Sequence, residues 1–397
     1  MAAPRIPFSR RFLTALLAGA EEKKDSLPQI IQAAEAVAKR LLGNGELFIA
    51  SARPDFISEG YIRSGGLMLL KEWQTELELT TPDTAIFGTT DPNTDRDLVR
   101  RLHQNGAHLV GIGPPLAAAD REYASFFRAY IESTPPLPPD LLAEFDGQAY
   151  PLVSLHNLVL LWAFTGELVA ALSRQGVMPA MYQSVLVPGA RQRNQERSGH
   201  RFEQDHNVPP IAPGQLATAY IEALSTCYRA LLETQTAAIA QVAQAATAVL
   251  HNGGTVHAFL ISHFPIFQAG APGDPGFMQR LEHIAAESPA DTELEVKLQP
   301  GDLFFFLGYY NRPTSAYQTA HRAGADIVEI ITGTENTNDP APDYVIHPQW
   351  PFGDSLVQIP EYDVAILPSS GIVQAAIYWA VVGEMASYRN HKNHFGD

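Results

Sequence analysis

The chain carries one short pattern twice, and this repeat constrains its fold more than any other feature. "HQNGAHLVGIGP" begins at His103, and "HRAGADIVEIIT" begins 218 residues later at His321. Each stretch is typical of a helix end, a glycine stop and a buried strand. Five positions are identical at this offset: His103/His321, Gly106/Gly324, Ala107/Ala325, Val110/Val328 and Ile112/Ile330.

A second pair of segments repeats at almost the same offset. "PLVSLHNLVLLWAFTGEL" starts at Pro151, and "PSSGIVQAAIYWAVVGEM" starts 217 residues later at Pro368. Five positions are again identical: Pro151/Pro368, Trp162/Trp379, Ala163/Ala380, Gly166/Gly383 and Glu167/Glu384. Two separate anchors that share nearly one offset indicate an internal duplication.

Both copies show the same order of predicted elements. A long Ala-rich helix ends at a glycine turn ("LLGNGE" and "LHNGGT"), and apolar runs then alternate with helices. Continuous apolar strands between helices predict an α/β fold with parallel sheets covered on both faces. We therefore predict two tandem αβα sandwich domains, a first half over residues 1–186 and a second half over residues 216–397.

Residues 187–215 are predicted to connect the two halves. The segment is rich in Pro, Gly and charge and has no sustained apolar period. It is longer than ordinary loops, so it is either a flexible linker or a functional lid. As a lid it would clamp a phosphate with its basic residues, which are Arg191, Arg193, Arg197, His200 and Arg201.

The charge balance excludes several classes of partner. With 27 basic and 43 acidic side chains the formal net charge is −16, which repels phosphate backbones and anionic lipid. We expect neither nucleic acid nor a membrane as partner, and an anionic small ligand would need a local basic or backbone-amide site. The single cysteine, Cys227, excludes an internal disulfide and fits a reducing compartment, so we expect a cytoplasmic protein.

The N-terminus allows two interpretations. "SRRFLTALLAGA", from Ser9, has twin arginines before a short apolar run, as an export signal does. We favour an amphipathic helix, because the apolar spacing continues downstream and the second half has a matching segment. We expect no run of the ~18–20 uncharged residues that spanning a membrane requires. We also expect no cofactor and no metal, since the histidine pairs at 200/206 and 391/394 lack the helical spacing of zinc ligands.

In the order of its elements, nearly the whole chain resembles the sugar isomerase (SIS) domain. This is the sugar-phosphate-binding module of phosphoheptose isomerase, present in tandem in glucosamine-6-phosphate synthase. The most specific local match is "SEGYIRSGGLM" from Ser58, which is similar to a glutamate-then-"RAGGL" segment of sugar isomerase-like proteins. The resemblance implies flavodoxin-like sheets and a phosphorylated sugar as ligand, and it leaves a homodimer as a possibility.

The resemblance also implies where the phosphate would sit, in Ser/Thr-rich loops at strand ends and helix N-termini. The matching loops are "GTTDPNTD" from Gly88 and "GYYNRPTS" from Gly308, in which Asp91 replaces a glycine and two tyrosines crowd the second loop. Arg312 would replace lost donors by a charge-assisted contact. The candidate binding residues of the loops are Thr89, Thr90, Asn93, Thr94, Asn311, Arg312, Thr314 and Ser315. The turns after the first strand of each copy and the matched segment add Ser51, Arg53, His263 and Arg63.

The catalytic candidates also come from the resemblance. Aldose–ketose isomerisation needs a base that moves a proton between adjacent carbons and an acid that opens the ring. Glu59 aligns with the glutamate of the family segment, and His156 falls near the place of the histidine paired with it in phosphoheptose isomerase. The alternative is a surface glutamate and a hydrogen-bonded helix histidine.

Three further polar residues stand out. Glu167 and Glu384 recur on apolar helices, where a carboxylate must find a partner or protonate, and we favour a structural role for both. Lys392, in the C-terminal "NHKNHFGD", is a candidate to close over a sugar, and a frayed terminus is the alternative.

The sequence thus predicts a phosphosugar-binding protein that acts as an aldose–ketose isomerase. The alternative is a catalytically silent sugar-phosphate sensor or scaffold. The Glu59/His156 pair favours the enzyme, and the altered phosphate loops favour the sensor.

Overall fold

Two sheets of five parallel strands form the framework of the molecule. The computed structural model describes residues 6–203, 208–281, 294, 296–333 and 340–393. The strands are β1 (Leu47–Ser51), β2 (Leu70–Glu72), β3 (Thr84–Gly88), β4 (His108–Gly113), β5 (Ala129–Glu132), β6 (Met178–Pro179), β7 (Phe202–Glu203), β8 (Val256–Leu260), β9 (Gln279–Arg280), β10 (Leu303–Leu307), β11 (Asp326–Ile330), β12 (Tyr344–Ile346), β13 (Ser355–Val357) and β14 (Ile366–Pro368).

Helices cover the sheets and join their strands. They are α1 (Phe8–Glu22), α2 (Leu27–Leu42), α3 (Pro54–Gly60), α4 (Pro92–Gln104), α5 (Arg121–Ser125), α6 (Pro139–Leu142), α7 (Tyr150–Ser173), α8 (Ala190–Arg197), α9 (Gln215–Thr234), α10 (Thr236–His251), α11 (Thr314–Ala323) and α12 (Ser370–Asn393).

The two sheets have the same strand order. The first runs β2-β1-β3-β4-β5 and the second β9-β8-β10-β11-β12, with all neighbours parallel. This is the flavodoxin-like order. The repeated segments of the sequence form β4 and β11, which occupy the same place in their sheets. The predicted α/β fold class is therefore confirmed.

The longest apolar helices lie at the centre of the molecule. Every residue of α7 is buried, and Trp162 and Trp379, on α7 and α12, lie in one continuous core. By length and composition α7 could cross a membrane, so the expectation that no segment has this character is wrong. Its complete burial is what the core helix of a globular protein shows.

The first helix of each half packs against the last helix of the other half. Helix α1 contacts α12, and α9 contacts α7. Because these contacts cross between the halves, the helices join the two halves into one core. The N-terminal segment is helical, as favoured from its apolar spacing.

The repeated Gly-Glu pair explains how these crossing helices are held. The Glu167 carboxylate accepts hydrogen bonds from the backbone N–H groups of Gly214 (2.7 Å) and Ala217 (3.0 Å), where α9 begins. In the other half, Glu384 accepts one from the N–H of Ser9 (2.7 Å) in the first turn of α1. A carboxylate there satisfies donors that a helix start leaves free. Both glutamates thus have the structural role that their recurrence indicated.

Candidate functional site

A cleft of about 520 Å³ opens where the second sheet meets the first half. It lies at the C-terminal ends of β8 and β10, the neighbours between which the strand order reverses. Open parallel sheets bind ligands at this point. Ile261, His263 and residues 309–311 contribute one wall, and residues 62–64, 182–186 and two side chains of α8 contribute the other.

Arg63 is the central charged group of the cleft. Its guanidinium contacts Asp354 (Nη1 to Oδ2, 2.7 Å), donates to the Ser370 hydroxyl (2.6 Å) and donates from Nε to Glu59 (3.3 Å). All three partners are buried. Burial alone would lower the pKa of Arg63, but Asp354 and Glu59 raise it above its ordinary value. The arginine is therefore a fixed cation shared by both halves.

Asp354 fixes this network to a helix start. Its Oδ1 accepts from the backbone N–H groups of Ser369 (3.1 Å) and Ser370 (2.6 Å), where α12 begins. These bonds and the Arg63 contact hold the carboxylate in place. No sequence pattern pointed to Asp354, because it lies in a loop and meets Arg63 only through the tertiary fold.

Glu59 lies behind Arg63 rather than in the cleft. It is fully buried, and its Oε2 finds no hydrogen-bond partner among the described residues. Burial raises the pKa of Glu59 to about 7, which Arg63 opposes and Asp354 reinforces. Oε2 lies so close to the Cα of Gly371 that a β-carbon there would meet it at 2.1 Å. Burial thus favours the protonated form of this carboxyl group, which is closed off from the cleft.

The second half has an amide at the position of Glu59. Glu59 lies twelve residues after the start of β1, and Gln268 lies twelve residues after the start of β8. The Gln268 carbonyl accepts from the Trp379 indole N–H at 2.9 Å, while Trp162, the counterpart of Trp379, adjoins Glu59. Only the first half therefore has a carboxyl group at this place.

The structure places His156 away from Glu59, on the side of α7 that faces α1. Its Nδ1 lies 2.7 Å from the Leu152 carbonyl oxygen, and its Nε2 points at Gly19. Burial, and then Lys23, lower the pKa of His156 to about 3. The ring is a neutral packing group in the helical core, so the two catalytic candidates are not brought together.

The candidate residues of the first loop are bonded to the loop's own carboxylates. Thr89 donates to Asp95, and the backbone N–H of Thr90 does so at 3.2 Å. At the start of α4, Asn93 donates to the Asp91 carboxylate from its backbone N–H and its amide, and the Thr94 hydroxyl donates to the backbone carbonyl of Asp91. Asp95 thus takes the contacts that a phosphate would use, and burial raises its pKa to about 6.

The turn after β1 is likewise internally bonded. The Ser51 hydroxyl donates to the Gly88 carbonyl at 2.7 Å. Arg53 donates to Asp55 at 3.0 Å, and its guanidinium lies 4.4 Å from the centre of the Tyr150 ring. Within the described chain, none of the first-half loop candidates lines the cleft.

The second loop divides between the cleft and the far side of the sheet. Asn311 and the two tyrosines before it line the cleft. Arg312 instead pairs with the buried Glu329 of β11 (3.0 Å from Nη2 to Oε1). Thr314 and Ser315 begin α11 and are half-buried.

His263, a candidate binding residue from the sequence, lines the cleft. Its Nδ1 lies 3.0 Å from the Ser58 carbonyl oxygen, which ties the turn after β8 to α3. Burial, and then the neighbouring Arg63, lower the pKa of His263 to about 4. The ring is therefore neutral at physiological pH and offers hydrogen bonds rather than charge.

The connecting segment borders the cleft through α8. Arg191 and Asn194 line it, and Arg191 is exposed. Arg193 instead anchors the segment, donating to Asp363 (2.8 Å) and Glu203 (3.2 Å). Arg201 donates to the Leu41 and Gly45 carbonyls (3.0 and 2.6 Å). His200 is exposed, and Arg197 lies 3.9 Å from Glu203.

Some candidates lie outside the described parts. His206 and His394 lie outside the described residues, and so do the side chains of His391 and Lys392. Among the described residues there is no group of three or more His, Cys, Asp or Glu side chains placed to hold a metal ion.

No protein-family model and no curated protein sequence matches the chain. Among solved structures, the C-terminal domain of glucosamine-fructose-6-phosphate aminotransferase from Francisella tularensis is similar at a TM-score of 0.51. It is 9% identical over 95% of this chain and 96% of that one. This likeness confirms the fold implied by the resemblance.

Two further solved structures are similar at lower scores. A candidate phosphosugar isomerase from Silicibacter pomeroyi has a TM-score of 0.43 and 12% identity, over 97% of this chain and 99% of that one. A candidate sugar binding protein from Salmonella typhimurium has a TM-score of 0.48 and 9% identity, over 94% and 98%.

Proposed function

We propose that the protein binds a phosphorylated sugar in the cleft between its halves and acts as a sensor or scaffold rather than as an isomerase. The main support for this proposal is the charge of the residues that line the cleft. In a chain of net charge −16, two arginines, Arg63 and Arg191, line one cavity at the switch point of a parallel sheet, against one carboxylate, that of Asp354. A dianion would find its complement there.

Uncharged donors around these arginines suit a sugar. The Ser64 hydroxyl is buried at the cleft and finds no hydrogen-bond partner within the described residues. A buried polar atom without a partner costs free energy, and a ligand hydroxyl would relieve that cost once the Ser64 side chain turned towards it. Asn194 and Asn311 add amide groups. The structural likeness to a domain named for glucosamine-fructose-6-phosphate supports the same ligand class.

The placement of the catalytic candidates favours binding without turnover. Glu59 is enclosed behind Arg63, and His156 lies in the helical core. A general base must come within hydrogen-bond reach of the proton that it removes. A ligand phosphate already bound in the cleft would meet Arg63 and not Glu59.

One observation favours the isomerase as the second candidate. A carboxyl pKa of about 7 suits a general base at neutral pH. For Glu59 to act, Arg63 would have to turn from Glu59 and Asp354 towards the ligand. The test is solvent-deuterium incorporation at C1 or C2 of a bound sugar phosphate. No incorporation by the wild type supports the sensor, whereas incorporation that is lost in Glu59→Gln establishes the isomerase.

Binding is tested with hexose 6-phosphates and the matching free hexoses in thermal-shift assays and calorimetry. We expect a phosphorylated member to raise the melting temperature by mass action and its free hexose not to. Arg191→Gln should weaken binding of that phosphate about three- to fivefold, as expected for an exposed charge pair. The matched control is Arg121→Gln, an exposed arginine on α5. Equal effects of phosphate and free hexose would contradict the proposal.

A further inference from the structure

We infer that the ligand of the cleft is a phosphorylated sugar with an apolar ring substituent, such as an aryl group on its anomeric carbon. The inference rests on the proposed function, because it names the ligand class of the same site. It follows from the size of the cleft, the chemistry of one wall and the rigidity of its aromatic rings.

The cleft is larger than a bare hexose phosphate would fill. Its volume of about 520 Å³ is in the range of pockets that enclose drug-sized molecules. The charged groups of the lining are Arg191 and the Arg63–Asp354 pair, joined by one 2.7 Å contact, and they occupy only part of it. A hexose phosphate bound at the two arginines would leave the remaining cavity to water.

The wall from the first half and the connecting segment has an apolar patch beside its polar side chains. It includes Ile62, Tyr182, Val185 and Leu186. Ile62 and Val185 are each 51% exposed, although large aliphatic side chains are usually buried. Sugar hydroxyls would find no hydrogen-bond partner on an aliphatic side chain, whereas a ring substituent would bury it favourably.

Two aromatic rings on the opposite wall are already held in place. Tyr309 and Tyr310 meet Trp350 edge to face, with ring centres 5.9 and 5.1 Å apart. The Tyr310 hydroxyl donates to the Pro351 carbonyl (3.0 Å) and accepts from the N–H of Gly353 (2.9 Å). Rings fixed before binding lose little entropy when a second ring packs against them.

The test compares glucose 6-phosphate, phenyl β-D-glucoside and phenyl β-D-glucoside 6-phosphate by calorimetry. We expect phenyl β-D-glucoside 6-phosphate to bind at least about tenfold more tightly than glucose 6-phosphate. Ile62→Ser should remove most of this gain and leave glucose 6-phosphate binding within about twofold. Leu77→Ser is the matched control, since Leu77 is 42% exposed outside the cleft lining.

The outcomes separate this inference from the proposed function. Glucose 6-phosphate binding without any gain from the phenyl group would overturn the inference alone. Equal binding of the phenyl glucoside with and without phosphate would overturn the phosphate site but keep the apolar subsite. Binding of none of the three would overturn both.

Discussion

A carboxyl group buried beside an arginine need not be ionised, and Glu59 shows why. Its burial outweighs its contact with Arg63, because Asp354 already takes the stronger contact with the guanidinium (2.7 against 3.3 Å). The remaining oxygen, Oε2, has no partner among the described residues and lies against α12. Glu59 is therefore best regarded as a positioning residue for Arg63.

The raised pKa of Glu59 makes stability depend on pH. Its ordinary value is 4.5 and its folded value about 7, so between these pH values the folded state keeps a proton that the unfolded state releases. Stability therefore falls as pH rises through this window and levels off above it. We expect the free energy of unfolding of the wild type to fall by roughly 2–3 kcal/mol more than that of Glu59→Gln between pH 4.5 and 8.

Urea unfolding at several pH values measures this difference. The matched control is Glu233→Gln, an exposed glutamate on α9, which should follow the wild-type profile. Parallel pH profiles of the wild type and Glu59→Gln would show that the buried carboxyl group has no raised pKa.

At the scale of elements, the packing of α1 on α12 and of α9 on α7 depends on the glycine that precedes Glu384 and Glu167. A β-carbon at Gly383 would meet the Phe8 ring at 2.0 Å, whereas one at Gly166 would meet Leu367 and Leu216 at 3.0 and 3.2 Å. Gly383 therefore lets α1 approach α12 closely, whereas α9 packs less tightly against α7 at Gly166.

The two glycines should respond differently to the same substitution. Alanine gains roughly 1 kcal/mol over glycine in a helix interior, and overpacking costs about 1–3 kcal/mol. We expect Gly166→Ala to be close to neutral in free energy of unfolding and Gly383→Ala to be clearly destabilised. Chemical denaturation of both variants checks the order, and each is the other's control. A Gly383→Ala protein as stable as the wild type would contradict the packing of α1 on α12.

The three inner strands of each five-stranded sheet and the long helices were predictable, because their signals are local. Continuous apolar runs predicted β1, β3, β4 and their counterparts, and the glycine stops predicted where helices end. The partners of the repeated glutamates were not predictable, since Ser9 and Glu384 lie 375 residues apart. The Arg63–Asp354 contact of the cleft was not predictable either, because the two residues meet only in the tertiary structure.

At the scale of the whole molecule, two similar halves support one asymmetric cleft. The second half supplies the strand ends and Asp354, and the first half supplies Arg63 with Glu59 behind it. The first-half loop that begins at Gly88 is bonded to its own Asp95. The second half has Gln268 at the position equivalent to Glu59. The two halves therefore have similar backbones but different side chains, and among the described residues one cleft combines Arg63 with Asp354.

Because α1 and α9 each pack against the opposite half, the two halves should unfold together. Helices α1 and α9 each complete the core of the opposite half, and the buried Arg63–Asp354 contact crosses between them. Neither half can open without exposing apolar surface of the other, so we expect one calorimetric transition with equal calorimetric and van't Hoff enthalpies. Gly383→Ala, which loosens only the α1–α12 contact, should move this whole transition to lower temperature. A scan in which that variant shows two transitions, only one of them shifted, would mean that the halves are separate folding units.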